Sequence, residues 1–224
     1  MIIEKIFYFI SKFHHASISN YSKKLDFDTL IDVGAHEGEF LSSFLKIKKI
    51  KCFYCFEPQS KIFEKLIKKF KYINNKIFFY NFPLGEKLKK KKLFLNKLTS
   101  TSTMSSFNRK SFYLKFKKFI LMDNKKNQII FVRQRRFDDV FKNIKIKKSY
   151  LKIDVEGYEL NVLKGCLKKI EDIRYILIEH QIFTQYKNNF SLINKFLKEN
   201  NFQILKIFYF PTFHYRDILY QRVF

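Results

Sequence analysis

Along this chain, runs of consecutive apolar residues alternate with segments whose apolar residues recur every three or four positions. The first run, residues 29–33, is followed by apolar positions at helical spacing within 40–45. A second run at 51–56 precedes a helical pattern over 60–70, and a third run follows at 76–82. This order of strands and helices is typical of a parallel α/β sheet with right-handed crossovers.

Residues 88–135 interrupt the alternation. Two stretches of strand-like composition, 86–96 and 127–137, flank the Ser/Thr-rich segment LTSTSTMSSF at 98–107. We expect an inserted hairpin or lid in front of the sheet. Within it, residues 99–106 form either a lid over the site or a flexible hairpin tip.

The alternation resumes with SYLKIDVEG at 149–157, followed by a helical pattern and by RYILIEH at 174–180. Another helix is predicted from 191 to about 199, and two final apolar stretches, FQILKIFYF and DILYQRVF, should pair antiparallel.

The spacing of apolar residues over 2–13 predicts an amphipathic helix. It either covers the edge of the core, the interpretation that we favour, or lies on a membrane surface.

The net charge of +25 favours an anionic partner such as nucleic acid, a membrane surface or an acidic glycan. Lysine is dispersed beside Ile, Asn and Phe, however, so compositional drift explains the charge equally well.

The three cysteines give no disulfide framework, and Cys52 and Cys55 fall on opposite faces of a strand, which argues against a metal or redox pair. We expect a reduced, cytoplasmic compartment, with no signal peptide and no spanning helix.

The turn after the first strand carries candidate ligand-binding residues. Gly34 and Gly38 let the backbone approach a ligand closely, and Asp32 supplies a carboxylate at the strand end. Their spacing is not the G-x-G-x-x-G of dinucleotide folds, and an ordinary tight turn is the alternative. Glu57, after the second strand, is either a loop acid before a proline or an acceptor for a ribose diol. Together the two strand ends predict an adenosine-containing cofactor, and the missing second glycine favours S-adenosylmethionine over NAD.

The strand at 149–157 places Lys152, Asp154 and Glu156 on one face of an otherwise apolar stretch. Buried charge is costly unless it is paired or used. These residues are therefore either functional groups at a crevice, which we favour, or a structural ion pair that closes the strand. Glu179 and His180 end the next strand at the same edge.

The sequence resembles the FkbM-domain methyltransferases. The resemblance rests on LIDVGAHEGEF, CFEP, NFPLGE, RFDDVF, YLKIDVEGYELNVLKG and ILIEH, which occur in the family's order over residues 30–180. It implies the α/β, Rossmann-like class I methyltransferase fold, with a mostly parallel seven-stranded sheet and helices on both faces. We expect one domain, with a helical extension over 1–25 and a core over 28–224.

The resemblance also implies S-adenosylmethionine as cofactor. The residues that it assigns to the cofactor site are Asp32, Gly34, Ala35, His36, Gly38, Glu57, Pro58, Asn81 and Phe82. The family usually has Asn where this chain has His36, and His is still able to form hydrogen bonds there.

Members of the family are mostly taken to O-methylate hydroxyls of sugars or polyketides. Such transfer needs in-line placement of the hydroxyl and a base that takes its proton. Asp154 or Glu156 is the candidate base, with Lys152 keeping the partner carboxylate ionised. His180 is a second candidate, because histidine titrates near neutrality. Asp154, Glu156 and His180 are alternatively ligands of a divalent ion, but no ligand spacing demands one and we predict no metal.

We therefore predict an O-methyltransferase that acts on a hydroxyl of a saccharide or similar polyol. An RNA methyltransferase is one alternative, which the basic charge suggests. A non-catalytic protein of the same fold that binds polyanions or membrane surfaces is another. No separate aromatic and basic module accompanies the core, so we expect no dedicated nucleic-acid binding and at most peripheral contact with an anionic membrane or glycan.

Overall fold

The computed structural model describes residues 2–95, 102–104, 128–182, 190–212 and 215–223, with side chains from residue 9 onward. Its centre is a seven-stranded sheet with the strand order β3-β2-β1-β6-β7-β9-β8. The first five strands in this order run parallel, and β9 is antiparallel to both β7 and β8. The predicted mostly parallel seven-stranded sheet is therefore confirmed, as is the antiparallel final pair.

The elements have the following bounds. The strands are β1 (Thr29–Val33), β2 (Cys52–Phe56), β3 (Ile77–Tyr80), β4 (Lys89–Leu95), β5 (Gln128–Gln134), β6 (Ser149–Ile153), β7 (Ile173–Gln181), β8 (Phe202–Tyr209) and β9 (Tyr215–Arg222). The α-helices are α1 (Ile2–Ser22), α2 (Glu39–Phe44), α3 (Ser60–Phe70), α4 (Phe137–Val140), α5 (Glu159–Lys164) and α6 (Phe190–Glu199). A 3₁₀ turn, Ile170–Asp172, precedes β7.

Helices cover both faces of the sheet, as the apolar runs require. Because successive strand residues point to opposite faces, each central strand supplies two separate cores. One core packs the sheet against α1, α2 and α3, and the other packs it against α4, α5 and α6. Cys55 belongs to the first core and Cys52 packs against the second, so the predicted opposite orientation of these thiols is confirmed.

The insert forms a separate two-stranded ribbon. Strands β4 and β5 pair antiparallel, which confirms the predicted hairpin. Most of the Ser/Thr-rich stretch at 99–106 lies outside the described residues. Its described part, segment 102–104, pairs with the ribbon through the backbone groups of Thr103 and Phe94.

Helix α1 is longer than the predicted 2–13. It continues to Ser22 because His14, Ile18 and Ser22 extend its buried stripe at a spacing of four residues. The helix runs antiparallel to β1. His14 lies at the carboxyl edge of the parallel strands, where it contacts Asp217 of β9, and the chain leaves the helix toward the start of β1. The predicted cover for the core is therefore present, and the first half of the helix lies at the carboxyl edge of the parallel strands.

Candidate functional site

The turn between β1 and α2 is built from left-handed backbone. The φ angles of Gly34, His36 and Gly38 are 85°, 48° and 77°. The backbone N–H groups of Gly34 and Ala35 both donate to the carbonyl of Phe56, so the turn is fixed to the end of β2. At Gly34, an added Cβ would lie 1.9 Å from the backbone oxygen of Asp154. Glycine is therefore required at position 34, both by the positive φ angle and by the close approach of the turn after β6.

Replacing Gly34 by alanine should weaken binding of S-adenosylhomocysteine at least about tenfold, since forcing β1 away from β6 displaces the whole turn. Isothermal titration calorimetry measures this. Gly165→Ala is the matched control, because its added Cβ would likewise meet backbone, the oxygen of Gly85 at 2.3 Å, but away from the β1 turn, so the folded variant should keep the parent affinity. Parent-like affinity in Gly34→Ala would contradict the assigned role of the turn.

Glu57, immediately after β2, is buried and holds two loops together. Its Oε2 accepts from the backbone N–H of His36 at 3.1 Å, and its Oε1 accepts from the N–H of Gln59 at 2.8 Å. Burial raises the pKa of Glu57, and these hydrogen bonds oppose the rise. The Gln59 side chain also forms a hydrogen bond with this carboxylate. A carboxylate has about four acceptor positions, so capacity remains for a ribose hydroxyl.

The remaining predicted cofactor residues lie around this carboxylate. The Asn81 amide donates to the backbone oxygen of Glu57 at 2.8 Å, which ties the end of β3 to the end of β2. Phe82 packs on Phe56, and Pro58 follows Glu57 directly. Contact of these residues with a cofactor stays a prediction.

Lys152, near the end of β6, is the centre of a buried ionic cluster. Its Nζ lies 3.1 Å from Oδ1 of Asp32 and 3.2 Å from Oδ2 of Asp154, and it donates to the carbonyl of Gly34 at 3.0 Å. The two carboxylates raise the pKa of Lys152 in spite of burial, so the ammonium stays charged. Asp32 is fully buried, and burial raises its pKa to about 6 although Lys152 opposes this. Asp32 therefore forms an ion pair with Lys152, and its direct contact with a cofactor stays a prediction.

The two candidate bases differ in their surroundings. Asp154 follows β6, and its side chain is 30% exposed at the crevice, by which we mean the space at the carboxyl ends of β2, β1, β6 and β7. Glu156 lies in left-handed backbone with φ 52° and is buried, and its Oε2 accepts from the Gln181 amide at 2.5 Å. The expected shared face of Lys152 and Asp154 is present. Asp154 is the more accessible of the two carboxylates.

A further carboxyl group, Glu179 of β7, belongs to the same crevice. Burial raises its pKa well above the usual range, and the nearby charges of Asp154 and Glu156 raise it further. Asp217 of β9 lies directly opposite Glu179, and His14 of α1 lies 2.7 Å from its Oδ2. No pattern in the sequence singles out Asp217 or His14, because their contacts join segments that are far apart in the chain.

His180 lies in the crevice wall rather than standing free. Its Nδ1 accepts from Nε of Arg216 at 3.1 Å, and its ring stacks on Phe190 with centroids 3.7 Å apart. Burial, and then the charge of Arg216, lower its pKa to about 4. The expectation that this histidine titrates near neutrality is therefore wrong, and at neutral pH it is a weak base.

Among the described residues, no group of three or more His, Cys, Asp or Glu side chains is arranged to hold a metal ion. The alternative ligand set Asp154, Glu156 and His180 is therefore not assembled as one.

Segment 102–104 crosses the crevice. The Ser102 hydroxyl donates to the Gln59 side chain at 3.3 Å, and the Thr103 hydroxyl donates to the backbone oxygen of Glu156 at 2.5 Å. Because β2 and β6 flank β1 on either side, these two contacts carry the segment over the β1 turn. It occupies the place of the predicted lid.

These residues fit S-adenosylmethionine. A carboxylate that is able to accept a further hydrogen bond follows β2, and the glycine turn brings backbone close to it. The cluster of Lys152 and its carboxylates leaves the crevice acidic, which suits a cationic sulfonium better than a pyrophosphate.

Comparison with solved structures identifies the same fold. The methyltransferase domain of bacterial CtHen1-C matches with a TM-score of 0.55 and 10% identity, covering 95% of this chain and 98% of that one. Magnesium protoporphyrin IX methyltransferase ChlM from Synechocystis PCC 6803 with bound S-adenosylmethionine gives 0.54 and 11%, covering 96% and 81%. M. capricolum TrmK with S-adenosylhomocysteine gives 0.51 and 13%, covering 92% and 67%. At these identities the likeness shows the fold alone, and it confirms the predicted class I methyltransferase architecture.

No curated protein matches the sequence. The family model described as the methyltransferase FkbM domain matches residues 32–204, well over half of the chain. This range contains the glycine turn, Glu57, Lys152, Asp154 and the end of β7. The chain therefore belongs to the methyltransferase FkbM domain family and is an S-adenosylmethionine-dependent methyltransferase.

Proposed function

We propose that the protein O-methylates a hydroxyl of a saccharide or similar polyol. One observation carries the proposal: the Asp154 carboxylate lies partly exposed at the end of β6, held by Lys152 and next to the glycine turn after β1. A carboxylate in that position is able to take a proton from a hydroxyl that is placed beside the cofactor.

The bound cofactor supplies the electrophilic methyl group, and the protein supplies placement and proton transfer. The Glu57 carboxylate would hold the ribose hydroxyls, and the glycine turn would lie along the cofactor. As the acceptor oxygen bonds to the methyl carbon, the bond from that carbon to the sulfonium sulfur would break and leave S-adenosylhomocysteine, while the proton of the hydroxyl would pass to Asp154. Lys152 lies 3.2 Å from that carboxylate and fixes its direction.

The charge of the crevice favours a neutral polyol over RNA. Two acidic side chains, Asp154 and Glu156, lie at its β6 side, and they would repel a phosphate backbone. The overall charge of +25 is the observation that favours the RNA alternative.

The class of acceptor is tested by incubating the protein with isotopically labelled S-adenosylmethionine and, in parallel, with glycan and RNA extracts of the host. Mass spectrometry of the products should find the label in saccharide hydroxyls. Label confined to RNA would replace the proposal by the alternative. Absence of label from both extracts, despite cofactor binding, would contradict both.

The protein has no helix, in the part of the chain that the structure describes, with the length and apolarity needed to cross a bilayer. Its cysteines are free, and two of them, Cys55 and Cys166, are buried. Free thiols support the reducing, cytoplasmic location that we propose.

A further inference from the structure

Helix α1 exposes aromatic side chains in its first half. Phe9 and Phe13 are each 60% exposed, and their rings lie edge to face with centroids 4.6 Å apart. Positions 9 and 13 are four residues apart and therefore share one face of the helix. Phe9 and Phe13 thus form an outward apolar stripe, although the inward face of the helix already packs on the core through Ile18.

Lysines line a groove that begins at the end of the stripe. This groove of about 340 Å³ between α1 and α2 is lined by Lys12, Lys23, Lys46 and Lys69, with Glu39 as its acidic residue. All four lysines are exposed, and within the described part of the chain none of them is within ion-pair distance of a carboxylate. The groove thus carries a net positive charge next to an apolar stripe.

The stripe lies beside the entrance to the crevice. His14 is anchored at the carboxyl edge of the sheet by Asp217, which is paired with Glu179 in the crevice wall. The turns of α1 before His14 continue past this edge, by about 1.5 Å for each residue. Whatever surface the stripe contacts is therefore brought next to the crevice.

We propose that α1 is an interfacial helix that docks the enzyme on an anionic lipid bilayer. The apolar stripe enters the boundary between headgroups and acyl chains, and the lysine groove contacts lipid phosphates. The apolar side chains match the acyl-chain layer of such a surface, and the neighbouring lysines match its layer of anionic headgroups. The edge-to-face arrangement of Phe9 and Phe13 does not present the parallel ring faces on which nucleic-acid bases stack. A docked enzyme would take acceptors held at the membrane surface, and this part of the inference rests on the proposed function.

Co-sedimentation with vesicles tests the docking without any need for activity. The 224-residue chain should sediment with phosphatidylcholine vesicles that contain phosphatidylglycerol, and much less with phosphatidylcholine alone. Added salt should release part of it, because salt screens the lysine contacts. The double variant Phe9→Ala/Phe13→Ala should reduce the partition coefficient at least about tenfold, the scale expected for removing two inserted aromatic side chains. Lys12→Glu/Lys46→Glu should reduce binding to anionic vesicles and leave the weak binding to neutral ones unchanged.

The ribbon provides a matched control. Ile129 and Phe131 of β5 are 46% and 60% exposed and also lie among lysines, so Ile129→Ala/Phe131→Ala removes comparable apolar surface elsewhere. This control should bind vesicles as the parent does. Equal loss in both double variants, or failure of the parent to bind anionic vesicles at low salt, would overturn the proposal. Salt-sensitive RNA binding that is lost with Phe9 and Phe13 would assign the surface to nucleic acid instead. Melting temperatures of all variants, whose changed residues are exposed, establish that they are folded.

Discussion

Replacing Asp154 by asparagine should lower the turnover number about 10²-fold or more, the usual scale for loss of a general base. The variant keeps the shape of the side chain and removes its charge. Lys152 retains its contacts with Asp32 and the Gly34 carbonyl, so the fold should be little affected. The measurement is the rate of label transfer to the saccharide extract, together with the affinity for S-adenosylhomocysteine and the melting temperature.

Two further substitutions serve as controls. Glu156→Gln changes a buried carboxylate that is bound by Gln181, and His180→Gln removes a ring whose Nδ1 is occupied by Arg216. Both should cost less turnover than Asp154→Asn. A variant Asp154→Asn that melts early, but whose folded fraction turns over normally, would show that the carboxylate is structural.

Replacing Lys152 by methionine should lower the free energy of unfolding by about 3–5 kcal/mol, since it leaves the buried Asp32 carboxylate without a counter-charge. Urea unfolding measures the loss. The control is Lys51→Met, whose exposed ammonium lies 2.9 Å from Asp28 and should leave the midpoint near that of the parent. An unchanged midpoint in Lys152→Met would show that Asp32 is stabilised by other groups.

The same variant should depend on pH in a defined direction. Burial raises the folded-state pKa of Asp32 to about 6, and removing Lys152 takes away the charge that opposes this rise. A carboxyl group with a raised folded-state pKa contributes stability below its unfolded pKa, and that stability is lost as pH rises through the folded value. The deficit of Lys152→Met should therefore be smaller at about pH 5 than at about pH 8. A deficit that grows on acidification would contradict the role assigned to Asp32.

The order of strands and helices was predictable because burial on both faces gives parallel strands continuous apolar runs. The end of α1 could not be predicted. Polar residues after position 13 interrupt the apolar pattern of its buried face, which is continued mainly by Ile18. Strand β9 lies between β7 and β8, an order that depends on packing between distant segments and leaves no local pattern.

The part of the site at the end of β6 was predictable, because its residues interrupt a local sequence pattern. Lys152 and Asp154 could be found because charge interrupts an apolar run, and their contact confirms that they share a face. The residues on other segments that pair with site residues or shift their pKa values could not be found from a local pattern. The ion pair of Asp32 with Lys152 has no sequence signal, and the pKa of His180 is lowered by burial and then by Arg216 on another strand. Side-chain identity suggests a chemistry, but the pKa depends on neighbours that only the folded chain brings close.

Segment 102–104 also has a consequence for the order of events during turnover. It holds the loop after β2 through Gln59 and the loop after β6 through Glu156, and a cofactor on the β1 turn would lie beneath it. Exchange of spent cofactor for fresh then requires these two hydrogen bonds to open, whereas an acceptor that enters from the β7 side does not pass under the segment. The two substrates would thus enter by separate routes, and the route of the cofactor would be the one that depends on opening of the segment.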